Sequence, residues 1–433
     1  MRASLVKTVD RYLLPYLSLP RILFFDSYTG ALFRRWPYLT WRRFRASQYR
    51  VATAHSSLPQ AQPLPISRIA GFVIAIQLLL FVFHAFVFES LSYFFDGYDP
   101  ISAKALAAGL FLLSVTFVPG TLLAHRYFNK RVRVFYRFAA TWLGILNFIF
   151  LASVASWLQL GLTRVFHLPI TRLQIGATFF SLGLLASAYG ILNAASIRVN
   201  RVTVKLPGLP ASWRGRVAAL VTDTHLGHII GSGFLRRLVS RLRQLRPDVV
   251  FVSGDMFDGT HVDYNRLAAP WRSLAPRFGS YFVTGNHEEF SDPTKYLNAI
   301  RNSGIRILHN ETVDLDGLQV IGVPFHESAN PRRFQSILEN AQLDPTRASV
   351  LLTHVPQSLP LVEEQGISLQ LSGHTHGGQI FPFTWFTSRI FGEFTYGLKR
   401  FGDLLVYTSS GAGTWGPPMR VGTNPEIVLI RFE

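Results

Sequence analysis

Seven side chains of the kinds that bind metal ions recur in the C-terminal half of the chain, each just after a short apolar run. They stand in five motifs: Asp223-Thr224-His225, Gly254-Asp255, Gly285-Asn286, Thr353-His354 and Gly373-His374-Thr375-His376. Carboxylate and amide oxygens combined with imidazole nitrogens suit divalent cations. Two such cations side by side can hold phosphoryl oxygens and activate a water molecule for attack on phosphorus. The motifs therefore predict a two-cation site that hydrolyses phosphate esters.

The spacing within the motifs suggests a role for each group. Asp223 and His225 are two residues apart, so both side chains can face one ion from an extended turn. The Asp255 carboxylate can bridge two ions. A departing alkoxide also needs a proton, and His287 is the candidate general acid. Asp258 is the candidate carboxylate that orients the His287 ring.

Short apolar runs typical of buried strands supply the elements that must position these groups. The runs are residues 217–221, 249–252, 281–283, 320–323, 350–352 and 404–407. Amphipathic helices are predicted at 234–245, 294–302 and 332–340, and Asp314-Leu315-Asp316-Gly317 predicts a hairpin turn. The result is a mixed α/β sandwich whose ligands lie on loops at the strand ends.

Taken together, these motifs resemble those of the calcineurin-like metallophosphoesterases. Residues 215–433 carry the resemblance, and the Gly-His-Thr-His-Gly-Gly-Gln run at 373–379 resembles the bacterial, membrane-linked branch of that family. The resemblance implies a four-layer αββα sandwich. It assigns one ion to Asp223, His225, Asp255 and His376, and the other to Asp255, Asn286, His354 and His374. It also implies that His287 assists the leaving group, and that manganese is the first choice of ion, with zinc or iron as alternatives.

Four long apolar segments precede this half of the chain, at residues 69–91, 105–124, 138–160 and 174–196. Each is long enough for a helix to cross the roughly 30 Å hydrocarbon core of a bilayer. Pro119-Gly120 predicts a kink or a loosened end in the second segment, and His84 in the first predicts a neutral imidazole bonded to a neighbouring helix. We therefore divide the chain into a basic, aromatic interfacial segment at 1–66, a four-helix transmembrane region at 67–198 and a metallophosphoesterase domain at 199–433.

The net charge of +18 is concentrated near the apolar segments. Residues 1–195 hold 19 Lys and Arg against 5 Asp and Glu, whereas residues 196–433 hold 24 against 20. This placement indicates the anionic headgroups of a lipid bilayer, rather than nucleic acid, as the partner. The second connecting loop carries five basic residues and no acid. The positive-inside tendency then predicts a multi-pass protein of the cell membrane with its C-terminal domain in the cytoplasm. The absence of cysteine excludes disulfides and thiolate ligands.

Two further features bear on the substrate. Six Phe or Trp residues occur within 381–394, directly after the last ligand motif. Such a run forms either a hydrophobic flap that rests on a bilayer or takes an acyl chain, or the packed interior of an irregular loop, and we expect the packed interior. Arg420 follows a Gly- and Pro-rich run near the C-terminus, where it either supports the site or serves packing.

Membrane attachment and the aromatic run favour a phospholipid or a lipid-linked nucleotide, such as UDP-diacylglucosamine, as the phosphate ester. Two alternatives stay open on the sequence: a membrane transporter or sensor with a regulatory phosphate-binding domain, and a nuclease. The few ionisable residues in the apolar segments argue against transport. The near balance of charge in the C-terminal half argues against a nuclease.

Overall fold

A computed structural model of the chain describes residues 66–95, 99–290 and 292–433. The predicted interfacial segment before Ile66 lies outside the described residues. Five helices precede the first strand of the described part: α1 Ile66–Phe94, α2 Pro100–Ser114, α3 Phe117–Arg126, α4 Lys130–Val165 and α5 Arg172–Ala195. The chain divides into two compact units, residues 1–78 and residues 79–433. The contacts described below all lie within the second unit.

Four helical segments are long and apolar enough to cross a membrane: Ala70–Phe94, Pro100–Arg126, Lys130–Val165 and Arg172–Ala195. They coincide with the four predicted apolar segments and extend beyond most of their ends. The second is broken between α2 and α3, where Val115 ends one helix and Thr116 begins the next. Pro119 has no N–H to donate to the Val115 carbonyl, so the break falls four residues before the proline. The predicted kink is therefore confirmed, one turn earlier than expected.

His84 contacts the neighbouring helix α4 as predicted. Its Nδ1 lies 2.7 Å from the Leu80 carbonyl oxygen, to which it donates, and its Nε2 accepts a hydrogen bond from Trp142 Nε1 at 2.9 Å. One donor and one acceptor nitrogen define a neutral imidazole. The ring therefore joins two helices and leaves no charge among the apolar side chains.

The remaining elements form two six-stranded sheets with helices outside them. The strands are β1 Arg198–Val204, β2 Val217–Val221, β3 Val249–Ser253, β4 Ser280–Val283, β5 Arg306–Ile307, β6 Glu311–Leu315, β7 Leu318–Val323, β8 Ser349–Thr353, β9 Leu369–Ser372, β10 Gly397–Phe401, β11 Leu404–Thr408 and β12 Glu426–Phe432. The helices are α6 Ser232–Leu245, α7 Tyr264–Ala268, α8 Asn286–Glu289, α9 Thr294–Asn302, α10 Phe325–Ser328, α11 Pro331–Asn340, α12 Leu359–Glu364 and α13 Phe383–Phe391. Short 3-10 turns occur at Ala211–Trp213, Ala269–Ser273, His376–Gly378 and Gly392–Thr395.

The strand order is β1-β12-β2-β3-β4-β5 in the first sheet and β10-β11-β9-β8-β7-β6 in the second. A buried apolar cluster that includes Phe251, Leu352 and Val428 lies between the sheets. On the outer face of the first sheet, α6 buries Leu235, Leu238, Val239 and Leu242, which share one side of the helix. On the outer face of the second, α11 buries Phe334 and Leu338. The predicted four-layer αββα sandwich is the observed fold.

Parallel pairing aligns the strand ends that carry the ligand motifs. Strands β2, β3 and β4 are mutually parallel, as are β7, β8 and β9. Their carboxyl ends therefore meet along one edge of each sheet, where ligands bind in open α/β folds. The predicted hairpin between β6 and β7 is also present, with Leu315 paired to Leu318.

Candidate metal centre

Loops at the carboxyl ends of five strands bring all seven predicted ligands to one place. Asp223 and His225 follow β2, Asp255 follows β3, and Asn286 opens α8 after β4. His354 follows β8, and both histidines of the Gly-His-Thr-His motif follow β9. Both sheets thus supply ligands to the same edge of the sandwich.

The first donor set consists of Asp223, His225 and His376. The Nε2 atoms of His225 and His376 are 3.0 Å apart. Asp223 Oδ1 lies 3.9 Å from His225 Nε2 and 3.5 Å from His376 Nε2. These three side chains could hold one metal ion.

The second donor set consists of Asn286, His354 and His374. Asn286 Oδ1 lies 3.1 Å from His354 Nε2 and 3.0 Å from His374 Nδ1, and the two imidazole nitrogens are 3.3 Å apart. The Asp255 carboxylate lies between the two sets, because its Oδ2 is 3.8 Å from His225 Nε2 and 3.2 Å from His354 Nε2. Asp255 is therefore within reach of both.

These donor atoms fit a pair of divalent cations. Two ligand atoms that each lie about 2.1 Å from one ion are about 3.0–3.4 Å apart, which matches all three separations in the second set and the distance between the two imidazole nitrogens in the first. Asp223 and Asp255 are 0% and 2% exposed. Carboxylates so deeply buried need cationic partners, and a pair of divalent cations would supply the charge that both need. The site thus has the chemistry and the size for two cations.

The backbone at the ligands is strained. Asp223, His225, Asp255, His374 and His376 all have φ between 45° and 70°. This left-handed region costs a residue with a side chain of order 1–3 kcal/mol, and such residues cluster at functional sites. Five of the seven predicted ligands adopt this unfavourable backbone conformation, which indicates that the rest of the fold holds them in it.

His287 lies beside the first donor set. One ligand atom of each of His225, Asp255 and His287 falls within 4.8 Å of the others. The His287 Nδ1 donates to the Asp258 main-chain carbonyl at 3.2 Å, so Nε2 is the nitrogen left to exchange a proton with a substrate. Asp258 therefore orients His287 through its backbone.

The predicted role of the Asp258 carboxylate is wrong. Its Oδ1 accepts from the Thr260 N–H at 2.8 Å and from the Thr260 hydroxyl at 2.5 Å. Asp side chains readily make such local turns with residues two positions ahead. The hydrogen bond to the His287 ring therefore comes from the Asp258 main-chain carbonyl, and the Oδ1 atom of the carboxylate is bonded to Thr260.

Glu288 is a site residue that the sequence reasoning missed. Its carboxylate is fully buried and accepts from the N–H groups of Asp255, Phe257 and Gly285 at 2.9–3.0 Å. It thereby fixes the two loops that carry Asp255 and Asn286. A Glu three residues after Gly285 at the start of a helix is the signal that could have revealed it, because an N3 glutamate often turns back to cap backbone donors.

Burial and charge shift the site pKa values in opposite directions. Burial raises the pKa of Asp223 to about 6. Burial would also raise the pKa of Asp255, but the neighbouring His354 and His287 bring it well below its usual range. Burial lowers the pKa of His287, and Asp255 partly offsets this. A phosphate anion bound beside His287 would oppose the lowering and favour the protonated ring.

Aromatic rings surround the two donor sets. Phe290 and Trp415 have ring centroids 5.4 and 6.0 Å from that of His287. Phe325 and Phe391 lie 6.3 and 6.1 Å from His374. Four aromatic side chains, none of them fully buried, therefore lie next to the carboxylate, amide and imidazole groups, and we call them the apolar rim of the site.

The calcineurin-like phosphoesterase family matches residues 217–378, a range that includes both donor sets and Asp255. Residues 217–378 are a calcineurin-like phosphoesterase domain. Members of this family use a binuclear divalent metal centre, and the groups around Asp255 in this domain could hold one. The resemblance of residues 373–379 to one branch of the family stays a prediction.

Two relatives and one structure illustrate the similarity of the phosphoesterase domain. An uncharacterized metallophosphoesterase of Campylobacter jejuni is 32% identical over 251 residues, which cover 57% of this chain and 66% of that protein. A transmembrane protein with metallophosphoesterase domain from Danio rerio is 34% identical over 261 residues, which cover 56% and 59%. The chain thus spans less than two thirds of the length of either relative. The structure of a dimetal phosphatase from Danio rerio covers 45% of this chain and 87% of its own, at 11% identity and a TM-score of 0.29.

Proposed function

We propose that the chain hydrolyses phosphate mono- or diesters with two divalent cations, manganese being the first choice. Asp223, His225, Asp255 and His376 would hold one cation, and Asp255, Asn286, His354 and His374 the other. The observation that carries this proposal is the position of Asp255 Oδ2, which lies within 4 Å of an imidazole nitrogen of each donor set. A shared carboxylate is what a pair of closely spaced cations requires.

The remaining steps belong to the chain's own residues. When bound, the cations neutralise phosphoryl charge and activate the attacking water. Glu288 and the strained backbone hold the ligands in place before the ester arrives, so no reorganisation is needed during the reaction. His287, held through Nδ1 by the Asp258 carbonyl, donates a proton from Nε2 to the leaving oxygen.

We further propose that the chain is a multi-pass membrane protein with this domain in the cytoplasm. The relative named as a transmembrane protein and the four apolar helices support membrane association. The His261 N–H in the domain donates to the Ala124 carbonyl near the end of α3, at 3.0 Å. The basic turn from Arg126 to Arg137 therefore lies on the side of the membrane that holds the domain. Basic loops favour the cytoplasmic side.

We propose that the substrate is a lipid that carries a phosphate ester, either a phospholipid or a lipid-linked nucleotide such as UDP-diacylglucosamine. The apolar rim formed by Phe290, Phe325, Phe391 and Trp415 supports this class. A rim of four rings stabilises an apolar group next to a charged headgroup better than it stabilises a free sugar or nucleotide phosphate.

Removal of the cations is expected to abolish hydrolysis. The full-length protein in detergent would be offered bis-4-nitrophenyl phosphate and 4-nitrophenyl phosphate with manganese, and release of nitrophenolate would be measured. Treatment with EDTA should reduce turnover to background, and added manganese should restore it, because the cations would both hold the phosphoryl oxygens and activate the attacking water. Protein that binds manganese but turns over neither these esters nor a lipid phosphate would overturn the proposed function.

The loss of activity caused by replacing His287 with Ala is expected to depend on the leaving group of the ester. Nitrophenolate leaves without a proton, whereas phenolate benefits from one, so kcat for phenyl phosphate should fall about 10²–10⁴-fold and kcat for 4-nitrophenyl phosphate much less. His309→Ala, an exposed histidine before β6, is the matched control. Equal losses on the two esters would mean that His287 binds the phosphate or the metal instead of donating a proton.

A further inference from the structure

Four of the six Phe and Trp residues after the last ligand motif are exposed, so the expected core packing is wrong for them, whereas Phe394 does pack against a buried cluster. We call residues 381–391 the aromatic flap. Phe381, Phe383, Trp385 and Phe386 are each 50–55% exposed, and no residue of α13 is buried. A contiguous apolar patch of this kind on a folded domain marks an interaction site.

The aromatic flap is held firmly on its inner side. The Phe381 N–H donates to the Val421 carbonyl at 2.9 Å, and the Phe383 N–H donates to the Ile380 carbonyl at 2.8 Å. Gly378 has φ of 84°, and a Cβ at that position would lie 2.4 Å from Thr384 Cα. The second glycine of the ligand motif therefore lets the flap backbone approach the metal centre. The exposed rings are therefore carried by a backbone that hydrogen bonds hold in place.

The flap touches a membrane helix at a defined depth. Asn147 Nδ2 on α4 donates to the Phe381 carbonyl at 3.0 Å, and Phe148 packs against Ile380. The far end of α4 is marked by Arg164, which donates to the Tyr93 hydroxyl at 2.8 Å, an arrangement typical of a membrane–water interface. Seventeen residues of helix separate Asn147 from Arg164, or about 26 Å.

That length nearly equals the roughly 30 Å thickness of a hydrocarbon core. If Arg164 lies at one headgroup layer, the aromatic flap lies at the other, on the side of the phosphoesterase domain. The composition of the flap suits that position. Phe and Trp rings favour the interface, and the Arg389 guanidinium lies 4.8 Å from the centroid of the Trp385 ring, where it can meet an anionic headgroup.

From these observations we infer that the aromatic flap inserts into the headgroup layer of the membrane that the four helices cross. The flap connects that layer to the metal centre, because Phe391 at its C-terminal end lies beside His374. A lipid held at the flap would have its phosphate ester directed toward the two donor sets. This last step rests on the proposed function, whereas insertion of the flap does not.

The chain has no cysteine, so a single introduced cysteine can be labelled without background. Ser388→Cys places a label on the exposed side of α13, and Phe383→Cys places a second label there. Ala211→Cys is the control, because it is exposed and precedes β2, at the opposite end of the strands from the metal centre. Each full-length variant would carry an environment-sensitive fluorophore in vesicles of phosphatidylcholine and phosphatidylglycerol that contain spin-labelled lipids.

Quenching at residues 383 and 388 should be at least about twofold stronger than at residue 211, and strongest with labels on the headgroup or the upper acyl chain. Quenching no greater than at residue 211 at both flap positions would overturn the inference, as would strongest quenching by labels near the bilayer centre. Two flap positions guard against one variant that fails to fold. Because the readout needs no turnover, failure of flap insertion and failure of the proposed hydrolysis give different results.

Discussion

Replacement of Asp255 with Asn is expected to reduce phosphoester hydrolysis by at least about 10³-fold, the largest loss of any single substitution in the site. A single transition-state donor contributes about 10²–10³-fold in other enzymes, and Asp255 serves both cation positions at once. The change is nearly isosteric, and the Asn Oδ1 can still accept the His287 N–H bond that Asp255 Oδ1 accepts at 3.0 Å. The fold should therefore persist while the second charge-bearing oxygen is lost.

The matched control is Asp316→Asn. Asp316 has φ of 52°, close to the 50° of Asp255, but it is exposed at the turn between β6 and β7. Manganese content would be measured by elemental analysis alongside kcat. The expected result is fewer than two ions per chain for Asp255→Asn and an unchanged content for Asp316→Asn. Full manganese content with unchanged turnover in the Asp255 variant would contradict the shared-carboxylate assignment.

The sequence predicted the candidate site well because its ligands follow strands. Four of the five motifs follow predicted apolar runs of three to five residues, which are the strands β2, β3, β4 and β8, whereas β9 before Gly373 was not among the predicted runs. Once those runs are recognised as parallel strands, their carboxyl ends must share an edge, and the polar residues that follow must meet there. The local sequence pattern was therefore enough to group the candidate ligands, because parallel strands place the residues that follow them at one edge of the sheet.

Features that depend on distant contacts could not be predicted in the same way. Strand β12 inserts between β1 and β2, although more than 200 residues separate it from either in sequence. The aromatic flap was expected in the core because aromatic rings usually are, and neither its exposure nor its contact with α4 is visible in the local sequence. The role of the Asp258 carboxylate was predicted wrongly because the spacing of residues in the sequence does not show which group of Asp258 contacts the His287 ring. In the structure it is the main-chain carbonyl and not the carboxylate.

Arg420 is the strongest example of a role that emerges only in three dimensions. It is fully buried, and its guanidinium donates to the carbonyls of Ser410 at 2.7 Å and Gly413 at 2.6 Å. It also donates to the His376 carbonyl at 3.3 Å and approaches His376 Nδ1 at 3.1 Å. Burial lowers the pKa of Arg420 to about 10, with Asp223 opposing the shift, so the side chain stays charged at neutral pH.

The same segment is attached to two of the candidate membrane helices. The Arg420 N–H donates to the Gly190 carbonyl of α5 at 2.9 Å, and Asn193 Nδ2 donates to the Arg420 carbonyl at 3.1 Å. On α4, a Cβ at Gly144 would lie 2.6 Å from Met419. Helix α5 thus fixes the backbone of Arg420, α4 packs against the neighbouring Met419, and the Arg420 side chain fixes the loop that carries His376. Packing of the helices is in this way connected to the position of a candidate metal ligand.

Replacement of Arg420 with Lys is therefore expected to weaken manganese binding about 10–100-fold, the range typical of residues that orient a metal ligand. Lysine keeps the charge but has no planar fork, so it cannot reach the carbonyls of Ser410, Gly413 and His376 together. Each buried carbonyl left without a donor costs about 1–3 kcal/mol, which should also lower the melting temperature. Arg400→Lys, on the exposed surface of β10, is the control and should change neither quantity. Manganese titration of the full-length protein separates the two effects. A lower melting temperature with unchanged manganese affinity would show that Arg420 serves packing alone. A loss of both would show that Arg420 also holds His376 in position.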